Sequence, residues 1–349
     1  MVRRLLWASL VLAPLTVVAD QLGAGKTGLF ILAAVALIPL AWLIGEATDH
    51  AAEHTGPGIG GFLNASFGNG PEIIIALLAI SSGLPNVVRG SLAGSVVSNL
   101  LLVLGLSLFV GRIGKVDRFS LLIQLGAVLF ATALFLVPSV PGWHGDPDRH
   151  SLAVATIPVA VVLLAVYLAL TLWSLRRHKR LHIESGHVAH ESAWSLSVAL
   201  AVLACATLAT AFVSEIMVHS IDAFADAVGA SEFFVAAVVV AVVGNAAEHG
   251  GAIVLAHRGK TMLASEIAVS SAAQVAVFVT PLVALVSFAF ADPLPLAFRP
   301  IEIAALAGST LLVALLVERG RTGRSGGAIL VAGYALVIAA FLLAGDRTQ

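Results

Sequence analysis

The stretch "GFLNASFGNGPEIIIALLAI" (Gly61–Ile80) decides how this chain is read. About 20 apolar residues suffice for a helix to cross the hydrocarbon core of a bilayer, and this segment is long and apolar enough. Yet Gly68, Asn69, Gly70, Pro71 and Glu72 stand near its middle, four poor helix formers followed by a carboxylate. A charged side chain at the centre of a membrane costs at least about 2.5–3.5 kcal/mol by insertion scales. It is retained there only if it faces a cavity, carries a proton, holds a cation, or bonds a neighbouring helix. The rest of the chain supports a membrane setting: of 349 residues, 59% are hydrophobic and 11% charged, where a soluble domain has about a quarter charged. Mean hydropathy is +1.01. The net charge of −1 supplies no basic field for nucleic acid. Cys205 is the single cysteine, so no disulfide framework forms within one chain.

Apolar runs between polar breaks predict an all-α polytopic membrane protein with about eleven spans: 4–20, 28–51, 58–80, 86–110, 119–138, 152–175, 193–218, 232–256, 262–290, 300–317 and 326–345. The first run, behind Arg3 and Arg4, is read as a retained helix; it resembles a signal peptide but lacks a clear cleavage site. With a cytoplasmic N-terminus, 14 of the 19 Lys and Arg residues fall in inside loops and 5 in outside loops. That bias orients the chain and also supports the helix count, because one missed span would reverse every later loop. The predicted location is the cell (inner) membrane.

The chain repeats. When Phe67 is laid on Val243, "FGNGPEIIIALLAISSG" (Phe67–Gly83) lies over "VGNAAEHGGAIVLAHRG" (Val243–Gly259) without a gap. Gly68, Asn69, Glu72 and Ser95 meet Gly244, Asn245, Glu248 and Ser271, and Ser98 meets Gln274. Each unit holds five helices, an odd number, so the two copies must face opposite ways across the bilayer. Inverted repeats place a transport site near mid-membrane, where the halves meet. The predicted organisation is an extra first helix at 1–27, a first repeat at 28–175, a cytoplasmic linker at 176–192 and a second repeat at 193–349.

Glu72 and Glu248 are therefore the central candidates, framed by Gly68, Asn69, Gly244 and Asn245. The glycines and Pro71 weaken the helical ladder, and the freed carbonyls, with the asparagine amides, supply oxygen ligands. Pro71 has no counterpart in the second copy, so that helix is expected to be less broken. Two carboxylates among amide and carbonyl oxygens suit a hard cation such as Ca²⁺. Either protons or a cation must neutralise such a pair, which is the exchange rule of an antiporter. Downstream, Ser95, Ser98 and Asn99, and in the second copy Ser271 and Gln274, complete a ligand shell, line a pathway, or pack helices. His249 is a proton partner of Glu248 or a core histidine. Glu215 is placed deep in a span. Glu46, Asp49 and Glu53 form either a funnel for cations or a solvated helix end, and Glu302 a first-turn carboxylate at a helix start. The loop with His178, His182, His187 and His190 is a transition-metal site if helical, or a solvated basic loop.

At "FGNGPE", "GNAAEH", "GSVVSNLLLVLG" and "SSAAQVAVFVTP" the sequence resembles the calcium/proton exchangers of the calcium/cation antiporter superfamily, from about residue 28 to 345. The resemblance implies ten core helices in two inverted halves, and Ca²⁺/H⁺ exchange with Glu72 and Glu248 as central carboxylates. It carries Asn69, Asn245, Ser98, Asn99, Gln274, Glu215 and His249 into the site or its supports. It departs from the family pattern at Gly70-Pro71, at Asp49-His50, and in a linker with only Glu184 and Glu191 as acids. The expected activity is secondary-active Ca²⁺ export against H⁺, with Ca²⁺ as transported substrate, no cofactor and no enzymatic reaction. The oligomeric state stays open. Exchange of Na⁺, K⁺ or Mn²⁺ is the nearest alternative, and a cation channel or an intramembrane hydrolase the more distant ones.

Overall fold

The computed structural model describes residues 2–111, 117–182, 194–319 and 323–345. These form an all-helical bundle, numbered here α1 (Val2–Ser9), α2 (Leu12–Gln21), α3 (Lys26–Gly68), α4 (Gly70–Ser81), α5 (Pro85–Val110), α6 (Arg118–Gly142), α7 (His150–His182), α8 (Leu196–Val218), α9 (Ile221–Val228), α10 (Glu232–Gly244), α11 (Ala246–His257), α12 (Thr261–Ala289), α13 (Pro300–Glu318) and α14 (Arg324–Ala344). Among the described residues, eight helices are long and apolar enough to cross a membrane. Counting the bent pair α9 and α10, which meet at 103°, as one span gives nine. The three remaining runs of the eleven predicted are interrupted. The first is split into α1 and α2, and the two that hold the central glutamates break at Asn69 and Asn245. Exposed Leu208, Phe212, Leu336 and Leu343 make up an apolar outer surface of the kind lipid covers.

One boundary differs from expectation. The sequence predicts a break between positions 51 and 58, but α3 continues for 43 residues to Gly68. At a rise of about 1.5 Å per residue that is roughly twice the hydrocarbon thickness. A polar stretch raises the cost of burial but does not by itself stop a helix.

The register of the sequence repeat reappears in the helix limits. Gly70 and Ser81 bound α4, and their counterparts in the second copy, Ala246 and His257, bound α11. Each helix is followed by a glycine with positive φ, Gly83 at 71° and Gly259 at 83°. A left-handed residue after the last turn is how many helices stop. α5 turns π-helical at Ser98–Val103 and α12 at Val275–Val279, a distortion frequent at functional sites.

Between the repeats, α3 packs along α8, and α5 packs along α10. The first helix is anchored: Arg3 Nη2 donates to Glu46 at 2.5 Å, and the Trp7 and Trp42 rings meet edge-on at 5.5 Å. At the other face, buried Arg89 donates to Asp148 at 2.6 Å. Glu302 lies in the first turn of α13 as expected and accepts from the Arg299 backbone N–H at 2.7 Å.

Candidate functional site

The two breaks are nearly superimposable in backbone conformation: Asn69 has φ −93° and ψ 16°, Asn245 φ −92° and ψ 11°. Both lie in the sparsely populated bridge region. The expectation that Pro71 makes the first break deeper is therefore corrected, because the second copy breaks the same way over Ala246-Ala247. Pro71 sits in the opening turn of α4, where a missing N–H leaves no helical bond unmade. What both breaks share is an asparagine whose side chain is held by the opposite repeat.

Asn69 Nδ2 donates to Gln274 Oε1 at 2.8 Å, and Gln274 Nε2 donates in turn to Ser270 Oγ at 3.3 Å. Asn245 Nδ2 donates to Ser95 Oγ at 3.0 Å and to the Ala241 carbonyl at 2.9 Å. Asn99 Nδ2 donates to Ser271 Oγ at 3.0 Å and, at 3.4 Å, to Asn245 Oδ1. Ser98 turns back to its own helix and donates to the Ser95 carbonyl at 3.2 Å. Asn69, Ser95, Ser98, Asn99, Asn245 and Ser271 are all buried. Each break is thus pinned by the second helix after the break in the other copy, α12 for Asn69 and α5 for Asn245, and the candidate site is built at the repeat interface.

The glutamates open the helices that follow. Glu72 and Glu248 stand in the first turns of α4 and α11, next to the ends of α3 and α10, where the last carbonyls lack helical donors. Glu72 crosses to the other repeat and lies against Gly244: a Cβ added there would sit 3.4 Å from Glu72 Cγ and 3.6 Å from its Oε1. A Cβ at position 244 would thus be in ordinary van der Waals contact with the carboxylate. Oε2 of each is buried without a hydrogen-bond partner, as is Asn99 Oδ1. A buried acceptor left unsatisfied costs about 1–3 kcal/mol, more when charged, and a proton or cation removes that cost. A cavity of about 10 Å³ beside Glu72 is lined by Ile75, Ser91, Leu92, Ser95 and Val240; that is room for about one water. Glu72 is 7% exposed, whereas Glu248 is partly open.

The other predicted residues divide. His249 is buried beside Glu248 with Nε2 unpartnered. Glu215 does not join the cluster: its side chain is exposed in the last turn of α8, beside Asp20 and Lys26. An apolar run alone does not say how near the end of its helix a residue falls, which is why the sequence places Glu215 too deep. Glu46 is likewise apart, engaged by Arg3 and lying 3.8 Å from His50 Nε2. His187 and His190 lie outside the described residues. Glu266 is a polar group of the bundle that the sequence reading omits. It accepts from Gln124 Nε2 at 2.8 Å and from Ser120 Oγ at 3.1 Å. An acid inside the run 262–290 is a sufficient signal, but it has no acidic counterpart in the first copy.

Comparison with known proteins agrees with this geometry. The sodium/calcium exchanger protein family matches residues 25–176 and 198–343. The chain is 36% identical to the Ca²⁺/H⁺ antiporter ChaA of Bacillus subtilis (strain 168), covering 95% of this chain and 96% of that one. It is 35% identical to the vacuolar calcium ion transporter of Schizosaccharomyces pombe, covering 95% and 83%. Among solved structures, native YfkE superposes with a TM-score of 0.82 at 32% identity, over 97% of this chain and 99% of that one. The H⁺/Ca²⁺ exchanger CAX, at 14% identity and a TM-score of 0.74 over 98% and 92%, shares the fold. These relatives are transporters rather than enzymes, and this chain belongs to the sodium/calcium exchanger family, within its calcium/proton exchanger branch.

Proposed function

We propose that this chain is a secondary antiporter that exports Ca²⁺ from the cytoplasm in exchange for H⁺, by alternating access around Glu72 and Glu248. The observation that carries this reading is the pair of glutamates at matched helix breaks, each with a buried oxygen lacking a partner. Ca²⁺ supplies two positive charges to two carboxylates, and protons supply the same neutralisation one at a time. A bare pair in a cavity nearly closed to water is the costly state, so the carrier changes faces loaded with one or the other. Asn69, Asn245 and Asn99, with Ser95 and Ser271, hold the breaks and offer oxygens. The carbonyls at the ends of α3 and α10 extend the hard-oxygen shell that Ca²⁺ prefers. His249, Ser98 and Gln274 support the same shell. The names of the relatives, Ca²⁺/H⁺ antiporters and vacuolar calcium transporters, favour the same ions.

The two repeats, 28–175 and 193–349, are read as inverted halves, with the first helix outside the symmetry and the linker 176–192 on the cytoplasmic side. In a cell membrane of that orientation, one charge moving through 100 mV is worth about 2.3 kcal/mol, so proton re-admission can drive uphill Ca²⁺ export. The test is cation-dependent proton movement in inside-out vesicles, screened with Ca²⁺, Mn²⁺, Na⁺ and K⁺. Exchange with Ca²⁺ that is lost in Glu72→Gln and in Glu248→Gln supports the reading. Exchange with another cation alone would replace the substrate, and flux without proton movement would indicate a channel.

A further inference from the structure

The second helix after each break, α5 in one copy and α12 in the other, carries a row of positions four residues apart, and the row differs between the copies. In α12 it reads Glu266, Ser270, Gln274; at the matched positions of α5 it reads Gly90, Gly94, Ser98. Residues spaced by four share one face of a helix. The α5 row is sealed. A Cβ at Gly90 would stand 2.7 Å from the Phe233 carbonyl, and one at Gly94 would overlap the backbone of Ala237. Here α10 lies directly on the glycines.

The α12 row is instead polar and bonded. Gln274 is tied to Asn69, three residues before Glu72, and to Ser270. One turn nearer the start of α12 stands Glu266, held by Ser120 and Gln124 of α6. Gln124 Nε2 also donates to Ser120 Oγ at 3.1 Å, and Gln124 Oε1 is a buried acceptor without a partner. A carboxylate, an amide oxygen and a hydroxyl are ligands for a hard divalent cation. The rise from Glu266 to Gln274 is about 12 Å, so the row reaches from the 257–261 turn to the central site. The lysine and arginine distribution assigns that turn to the cytoplasm.

We propose that Glu266, braced by Ser120 and Gln124 and continued by Ser270 and Gln274, is a transient binding carboxylate for the transported divalent cation on its way from the cytoplasmic face to Glu72 and Glu248. This rests on the antiporter reading above. The first carboxylate receives a cation shedding water near the start of α12, and the serine and glutamine bridge the interval to Asn69. The glycine row leaves no matching route on the opposite face. The proposal makes Glu266 one-sided in effect, which a residue that merely joins α6 to α12 is not.

The experiment measures Ca²⁺-driven proton exchange on both faces, in inside-out and right-side-out vesicles, for the full chain and for Glu266→Gln. The amide keeps an oxygen for Gln124 and Ser120 but removes the charge. The apparent KM for Ca²⁺ is expected to rise about fivefold or more from the cytoplasmic face, as expected for losing one charged ligand, with kcat and the opposite-face KM unchanged. Ser270→Ala, which leaves Glu266 in place, is expected to give a smaller rise on the same face, and serves if Glu266→Gln does not fold. An unchanged cytoplasmic KM, or an equal rise on both faces, overturns the proposal. If the unaltered protein exchanges Ca²⁺ for protons and Glu72→Gln abolishes it, such a result removes only the role of Glu266. If the unaltered protein shows no exchange, the antiporter reading fails instead.

Discussion

Ser98 and Gln274 occupy the same place in the two repeats, yet the turns before them have opposite characters. Gly90 and Gly94 let α10 settle onto α5, while Glu266 and Ser270 keep the equivalent face of α12 polar. The partial openness of Glu248 and the burial of Glu72 follow the same division. A repeated sequence thus builds a site with matched ligands and unmatched approaches. On the proposed reading the matched part binds the load, and the unmatched part makes the two approaches to it differ.

The sharpest way to break that comparison is to overfill the seam. Gly94→Leu forces α5 and α10 apart and is expected to cost about 3 kcal/mol or more, beyond ordinary overpacking, because backbone is the obstacle. Ser270→Ala is expected to stay within about 1 kcal/mol of the parent in stability. Thermal unfolding in detergent compares the two, and equal stability of both variants would remove the seam from the account.

Next in size is the loss of the pin in the second break. Asn245→Ala removes donors to Ser95 and the Ala241 carbonyl, and leaves the buried Asn99 amide with one acceptor fewer. About 2–3 kcal/mol of stability is expected to go, in line with stranding buried polar groups, together with most of the transport. Transport at the parent level would show that the asparagine does not hold the site.

Proline exchange tests the likeness of the breaks with a small effect. Pro71→Ala and Ala247→Pro, at matched positions of the repeat, are each expected within about 1 kcal/mol of the parent, since proline in an opening helical turn is tolerated. A large loss in Pro71→Ala alone would return the break to the proline. Smaller still, and continuous, is the effect of acid. On the proposed reading protons and Ca²⁺ compete for the same carboxylates, so lowering the pH on the Ca²⁺-loading face is expected to raise the apparent KM for Ca²⁺ there. A KM independent of pH on that face would mean that the two ions use separate groups.

The helices, the repeat and the paired glutamates are legible in the sequence because each rests on a one-dimensional signal. Apolar length marks spans, and laying Phe67 on Val243 marks matched breaks before either is seen folded. The cause of the break is misread at Pro71, because local propensity identifies a poor helix former but not whether it falls at an interior or an opening turn. Glu215 and Glu46 illustrate a second limit: a carboxylate in an apolar run has no depth until the helix ends are known, and Glu46 has no partner until α1 folds back with Arg3. The glycine row is invisible for the opposite reason. Gly90 and Gly94 look like ordinary small residues, and only the approach of Phe233 and Ala237, from the other repeat, gives them a task. Glu266 escapes a reading guided by symmetry, and what distinguishes the two faces is where symmetry fails.

The central claim is that Glu72 and Glu248 share one exchangeable load. The most direct measurement is Ca²⁺-driven proton release in inside-out vesicles containing the full chain, Glu72→Gln or Glu248→Gln. The account predicts release with the parent chain and none above background with either variant, although both variants are folded and inserted. Full Ca²⁺-driven proton release in both variants would contradict it.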